Sequence, residues 1–394
     1  MSPSRRQVLF GMAASGAASI LDHGPVLARL IAQQPCGDAA ASTTLLGTLP
    51  LSRSGAQPQP FGVKLGARGL DARLVTDLSS LEPDRLVTPT ARAFIRTESP
   101  PDAARQSPWT IRATGLAARQ ASITLADLSR RARGMGPHLL ECSGNNNPAN
   151  FGLMSVCEWD GLLVSDVLSG PRPSAAATGV LVGGLDHESQ RSADSIGGAS
   201  WIFPLASLER LGAFLAVRMN GEPLTPDHGA PIRLVVPGWY GCTWIKWVNE
   251  IRLTAADEPA TSQMKEFAGR THQSARHDLA RDYAPADIQV AATPIRIEQR
   301  LGRDGIQYRI IGIVWGGDKP VDRLAIRFQA DDGWKDFSVC PAPKTHRMWS
   351  LWEYWWQPAS PGIYDIALSV PDPLVPQRRL SAGYYVRQVR ILNP

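Results

Sequence analysis

The chain has 394 residues, 43% of them apolar, which is enough for two domains and too apolar for wholesale disorder. Its formal charge of +5 is scattered along the sequence, which excludes the clustered basic stripe of a nucleic-acid binder and fits small anions or an acidic protein partner. Five cysteines, few and odd in number, argue against a disulfide framework and leave Cys36, Cys157, Cys242 and Cys340 as small buried hydrophobes; no Cys-x-x-Cys-His is present to attach a haem.

The N-terminus reads as an address. Ser4-Arg5-Arg6-Gln7-Val8-Leu9-Phe10 pairs two arginines with an apolar step, and a short run of small and weakly apolar residues follows to Ile20. That order is the twin-arginine export signal, read by the twin-arginine translocation machinery, which carries cargo already folded around its cofactor. Residues 1–40 are therefore assigned to the signal and the start of a linker, and the expected location is the periplasm. No run of eighteen apolar residues follows, so the mature protein is expected to be soluble.

Residues 36–60 are rich in Ala, Ser, Thr, Gly and Pro and read as a connector. From Leu70 to Thr254 short strands alternate with helices. Ala91–Arg96, Trp109–Gly115, Val180–Gly184 and Ile232–Val236 have strand character, Thr124 caps a helix, and Leu162–Leu168 has helical spacing. Between Asp257 and Asp287 the chain turns polar. Beyond it, β segments recur at 307–315, 321–330, 364–370 and 384–392, and the alternation of Leu324, Ile326 and Phe328 with more polar neighbours suits a half-buried strand. The reading is an α+β chain, with a catalytic domain over 41–255, a linker over 256–285 and a β-sandwich over 286–394. Trp349, Trp352, Trp355 and Trp356 are assigned to packing within that sandwich.

Two segments carry chemistry. Cys142-Ser143-Gly144-Asn145-Asn146-Asn147 sets a thiol beside small residues and amides, so a bulky ligand can approach while donors orient it. A thiolate is a soft, electron-rich ligand for a metal. Downstream, Asp227-His228-Gly229, Arg233 and Lys246-Trp247 gather cations and an imidazole suited to gripping a phosphorylated ligand.

From about Arg92 to the C-terminus the chain resembles the sulfite oxidase family. Its Cys-(Ala/Ser)-Gly-Asn motif stands here as Cys142-Ser143-Gly144-Asn145; Trp159-Asp160-Gly161, Asp186, Gly198-Ala199-Ser200 and the 227–247 segment follow in family order. The resemblance implies a mixed α/β molybdopterin-binding domain followed by an immunoglobulin-like dimerisation domain, hence a homodimer. It implies a molybdenum-molybdopterin cofactor, with Cys142 as the single protein ligand to the metal. Ser143, Asn145, Trp159, Asp186, Ser200, His228, Arg233 and Lys246 would line or bind the pterin. The implied activity is oxidation of a small sulfur compound such as sulfite, with electrons leaving to a c-type cytochrome or a separate haem subunit.

Three departures bear on substrate. The arginine pair that follows the cysteine motif in sulfite oxidases is Asn146-Asn147 here; Arg96 survives from an Arg-Asn-His element that has lost its histidine. The family's pocket tyrosine has no secure match, and Tyr283, Arg270 and His272 compete for its place. Arg96 and Asn147 are thus the expected substrate contacts, and a less charged substrate becomes an alternative: a sulfoxide, including oxidised methionine in proteins, reduced on the same cofactor. A binding protein that holds no cofactor is the remaining reading.

Overall fold

The computed structural model describes residues 42–52, 74–97, 99–100, 103, 107–145, 151–186, 199–271 and 279–394. The proposed signal, Asn147 and His272 lie outside these residues.

The first strand, β1 (Thr44–Leu49), hydrogen-bonds to a strand of the C-terminal unit, as described below. The next strands build two sheets. One contains β2 (Thr110–Gly115), β3 (Ala121–Thr124), β6 (Gly179–Gly184), β7 (Ser200–Pro204) and β11 (Val248–Thr254), in the order β3-β2-β11-β6-β7. The other contains β4 (Arg133–Glu141), β5 (Met154–Leu163), β8 (Phe214–Met219) and β10 (Arg233–Val235), in the order β10-β8-β5-β4, with the short β9 (Glu222–Pro223) paired to β8. Short helices α1 (Leu125–Arg131), α2 (Val164–Leu168), α3 (Leu205–Leu211) and α4 (Ser262–Phe267) flank the sheets. Thr124 caps α1, its hydroxyl accepting from the Asp127 amide at 3.1 Å. Ala91–Arg96, expected as a strand, instead forms a single helical turn over Thr90–Arg92 and makes only an isolated bridge from Ile95 to Leu74. Pro89 opens that turn, and Ala93 NH bonds back to it, so the backbone groups are satisfied locally rather than by a ladder.

The C-terminal unit is a β-sandwich of two four-stranded antiparallel sheets. β12 (Ala291–Gly302), β13 (Gly305–Trp315) and β16 (Ser350–Trp356) complete the sheet β1-β12-β13-β16; β14 (Arg323–Arg327), β15 (Lys335–Ser338), β17 (Gly362–Ser369) and β18 (Arg387–Ile391) form β15-β14-β17-β18. Leu324, Ile326 and Phe328 point inward, and Trp349 and Trp352 are fully buried between the layers; Phe328 stacks on Trp356 at 4.1 Å. The expected domain limits need correction at both ends. Residues 44–49 belong to the sandwich through the β1–β12 ladder, and the presumed linker 256–285 contains α4, which lines the pocket described below. Composition misplaced β1 because its ladder is formed with residues about 250 positions downstream (Thr44 opposite Leu301). Cys340 is disulfide-bonded rather than a buried thiol, and Cys36 lies outside the described residues.

The sheet containing β4 and β5 is shared between two cores. Leu139, Met154 and Val156 join the cluster that holds the sandwich tryptophans, whereas Leu140, Cys157 and Trp159 join the core of the first unit. Alternation of side chains along a strand produces this two-faced layer. Polar links reinforce it: Leu139 NH donates to Arg347 O at 2.7 Å, and Trp349 Nε1 donates to Leu86 O at 2.9 Å. No helix among the described residues is long and apolar enough to cross a membrane.

Candidate cofactor pocket

Cys142 follows directly on β4. Its NH donates to Leu153 O at 2.9 Å, and Asn145 NH donates back to Cys142 O at 2.9 Å, so the strand ends in a closed turn. Inside that turn Gly144 NH points at Cys142 Sγ, 3.4 Å away, a donor that favours the thiolate. The sulfur lines a pocket of about 180 Å³. Arg96, Asp186, His228, Arg233 and Lys246 line the same pocket, so residues spread over 150 positions of sequence converge on the cysteine.

Lys246 and Arg233 are both held by backbone oxygen. Lys246 Nζ donates to Thr97 O at 2.8 Å and Asp227 O at 2.9 Å, and lies 4.2 Å from the centre of the Trp247 ring. Arg233, only 4% exposed, donates from Nη1 to His228 O at 3.1 Å and sits 5.3 Å above Trp159 and 5.8 Å from Trp244. Its Nε has no partner, and no carboxylate pairs with it among the described residues. Burial lowers its pKa to about 10, which still leaves it charged at neutral pH. Gly229 makes the convergence possible: it adopts φ +102°, and a Cβ there would meet Lys246 at 3.0 Å and Arg233 at 3.2 Å.

His228 accepts from the Thr225 hydroxyl at Nδ1 (2.6 Å) and donates from Nε2 to Ala93 O (3.3 Å). Burial first, then the charge of Arg233, lower its pKa to about 4, so the ring is neutral. His138, in β4 and away from the pocket, is depressed to about 4 by burial and then by Arg347. Such a histidine contributes stability that is complete above its unfolded value near 6.5 and is lost as pH falls toward 4, because the unfolded chain takes up the proton first. The contribution of His138 is on the order of 3 kcal/mol. Denaturant midpoints measured from pH 7 to 4 are expected to fall, and His138→Gln is expected to flatten that profile.

The remaining expected site residues are distributed differently. Ser143, Asn145, Trp159 and Ser200 do not line the pocket. Asn145 is a structural residue of the turn, its side-chain oxygen accepting from Leu153 NH at 3.0 Å. Ser143 Oγ, Trp159 Nε1 and Ser200 Oγ are buried without partners. Tyr283 packs against the core and does not line the pocket, whereas Phe267 of α4 does, beside Gln263 and Glu266. Among the described residues, the aromatic side chain that lines the pocket after the Lys-Trp motif is Phe267, which has no hydroxyl; His272 lies outside those residues. A search for any aromatic in that segment, rather than for tyrosine, would have found it. Asp227, from the segment singled out in the sequence, also lines the pocket, as do Phe94 and Cys242, which carried no signal there.

This donor set fits a molybdopterin. A soft sulfur faces the cavity, and a buried guanidinium that has no counter-ion among the described residues supplies the partner that an anionic group requires.

Residues 98–262 match the family of oxidoreductase molybdopterin-binding domains. Sulfite oxidase of Gallus gallus is 27% identical over 298 residues, covering 68% of this chain and 63% of that protein. Mitochondrial sulfite oxidase of Mus musculus is 25% identical over 291 residues, 68% of this chain and 52% of that protein. The chain therefore spans between half and two thirds of the length of these relatives. Nitrate reductase of Hordeum vulgare is 31% identical over 187 residues, 42% of this chain and 20% of that protein. The fold is that of the crystal structure of the sulfane dehydrogenase SoxCD from Paracoccus pantotrophus, with a TM-score of 0.59, 16% identity, and coverage of 97% of this chain and 92% of that one. Residues 98–262 are thus a molybdopterin-binding oxidoreductase domain similar to that of the sulfite oxidases, which implies a molybdenum-molybdopterin cofactor.

Proposed function

We propose that this protein is a periplasmic molybdopterin-dependent oxidoreductase that oxidises a small sulfur compound, with sulfite as the reference substrate. The observation that carries this reading is the Cys142 sulfur facing the same cavity as the buried Arg233, which no carboxylate among the described residues pairs with. Cys142 would hold the metal; Arg233 and Lys246 would hold the pterin and its phosphate, with His228 walling the site; Asp186 would meet its polar edge. When bound, the molybdenum centre supplies oxygen-atom transfer coupled to two-electron redox chemistry. The protein's part is orientation and charge. Neutral His228 offers one NH, already committed to Ala93 O, and acts as a fixed wall rather than a proton carrier. Arg96, at the pocket lining, would meet an anionic substrate, and Asn147 is its proposed second contact. The electrons are proposed to pass to a c-type cytochrome or a separate haem subunit, and the sandwich to mediate a homodimer. Export would use the twin-arginine machinery, read from Arg5-Arg6.

Molybdenum-loaded protein given sulfite is expected to reduce ferricyanide or cytochrome c. Full metal and pterin occupancy with no turnover would remove sulfite as substrate. A second reading, reduction of sulfoxides, is favoured by Phe94 and Phe267 lining the pocket, an apolar lining that suits a less charged substrate. Oxidation of reduced viologen by methionine sulfoxide separates the two.

A further inference from the structure

We infer that Arg378 of the sandwich is a positioning residue for Cys142, acting through Glu141 to lock the 142–145 turn from the face of the sheet opposite the pocket. The inference rests on the reading of Cys142 as the molybdenum ligand.

Glu141 is fully buried, and a buried carboxylate persists only where donors surround it. Arg378 approaches as a two-pronged fork, Nη1 to Oε1 at 2.8 Å and Nη2 to Oε2 at 2.6 Å. Trp315 Nε1, at the end of β13, adds a third bond to Oε2 at 2.8 Å. All three donors come from the sandwich. Burial opposes the charge on Arg378, but Glu141 outweighs it and holds the guanidinium well above its ordinary pKa. Tyr385 Oη accepts from Arg378 at 2.9 Å, and the guanidinium lies 5.3 Å from the Tyr240 ring and 5.6 Å from the Trp315 ring. The fork can therefore turn little without breaking several contacts.

The fourth donor to the carboxylate is Asn145 Nδ2, 3.4 Å from Glu141 Oε1. Asn145 is the residue that closes the cysteine turn, through Cys142 O and Leu153 NH. A contiguous path thus runs from Arg378 through Glu141 to Asn145 and the turn bearing the sulfur. Because neighbouring side chains on a strand point to opposite faces, fixing Glu141 toward the sandwich directs Cys142 toward the pocket. Neither Glu141 nor Arg378 lines that pocket, so their effect on it is indirect. A salt bridge serving only to join two domains would have no need to sit one residue from the sulfur or to share its carboxylate with the turn.

The test uses the full chain with Arg378→Lys, which keeps the charge but loses the fork, and Glu141→Gln, which keeps the side-chain shape and one acceptor oxygen but removes the charge. In cofactor-free protein, iodoacetamide labelling is followed by peptide mass spectrometry at Cys142 and at Cys157, which is 2% exposed and reports general loosening. Labelling of Cys142 is expected to accelerate about tenfold in both variants, the change that loss of one charge-assisted hydrogen bond produces, while Cys157 stays protected. In loaded protein the Mo(V) electron paramagnetic resonance spectrum is expected to shift in both. Unchanged Cys142 labelling, equal acceleration at Cys157, or an unaltered Mo(V) spectrum overturns the inference. Metal and pterin content of the wild type tests the cofactor reading separately, since the labelling arm needs no cofactor.

Discussion

Arg233→Met is expected to strip the protein of pterin while leaving the cofactor-free chain at least as stable as the wild type. The guanidinium is buried and charged, and its described partners are two main-chain carbonyls and two indole faces, with Nε unsatisfied. Taking such a cation out of water costs several kcal/mol, and nothing of opposite charge among the described residues offsets it. Methionine has a similar length and packs against Trp159 and Trp244 without that cost. A bound anion reverses the sign. Losing a buried, charge-assisted contact to a phosphate typically removes about 2–5 kcal/mol, roughly thirtyfold to several thousandfold in affinity. Pterin content after purification, read beside the melting temperature of cofactor-free protein, separates the two effects. A methionine variant that retains pterin, or that melts well below wild type, would contradict this role for Arg233.

The second large effect concerns the buried pair joining the two units. Arg378→Ala is expected to destabilise the protein by about 3–5 kcal/mol, because Glu141 is left charged, fully buried and short of two donors. Glu141→Ala strands the guanidinium in turn and is expected to cost a similar amount. The double variant Glu141→Ala/Arg378→Ala should lose far less than the sum, since each residue's penalty arises from the other's charge. Denaturant unfolding of the three variants measures the coupling. Additive losses would mean that the two groups stabilise the fold independently.

Much of the chemistry was legible in the sequence because it is local. Cys142-Ser143-Gly144-Asn145 is contiguous, and the 227–247 segment carries His228, Arg233 and Lys246 within twenty positions, so short-range spacing exposes them together. Helix caps such as Thr124 are equally local, whereas the half-buried alternation expected at 324–328 is not kept, since Ala325 is buried beside Leu324 and Ile326. Phe267 was less legible, because an isolated phenylalanine in the 263–273 segment reads as ordinary core.

What the sequence alone determined is the cysteine that lines the pocket, the cationic segment that accompanies it, and the β-rich character of the second half. Only the tertiary structure decided that residues 44–49 belong to the sandwich, that α4 walls the pocket, and that Arg378 and Trp315 reach back to Glu141. The physical reason is separation along the chain. Charges 237 positions apart, or strands paired across about 250 residues, leave no periodicity in a local window. They meet because burying two apolar faces of one sheet brings them together.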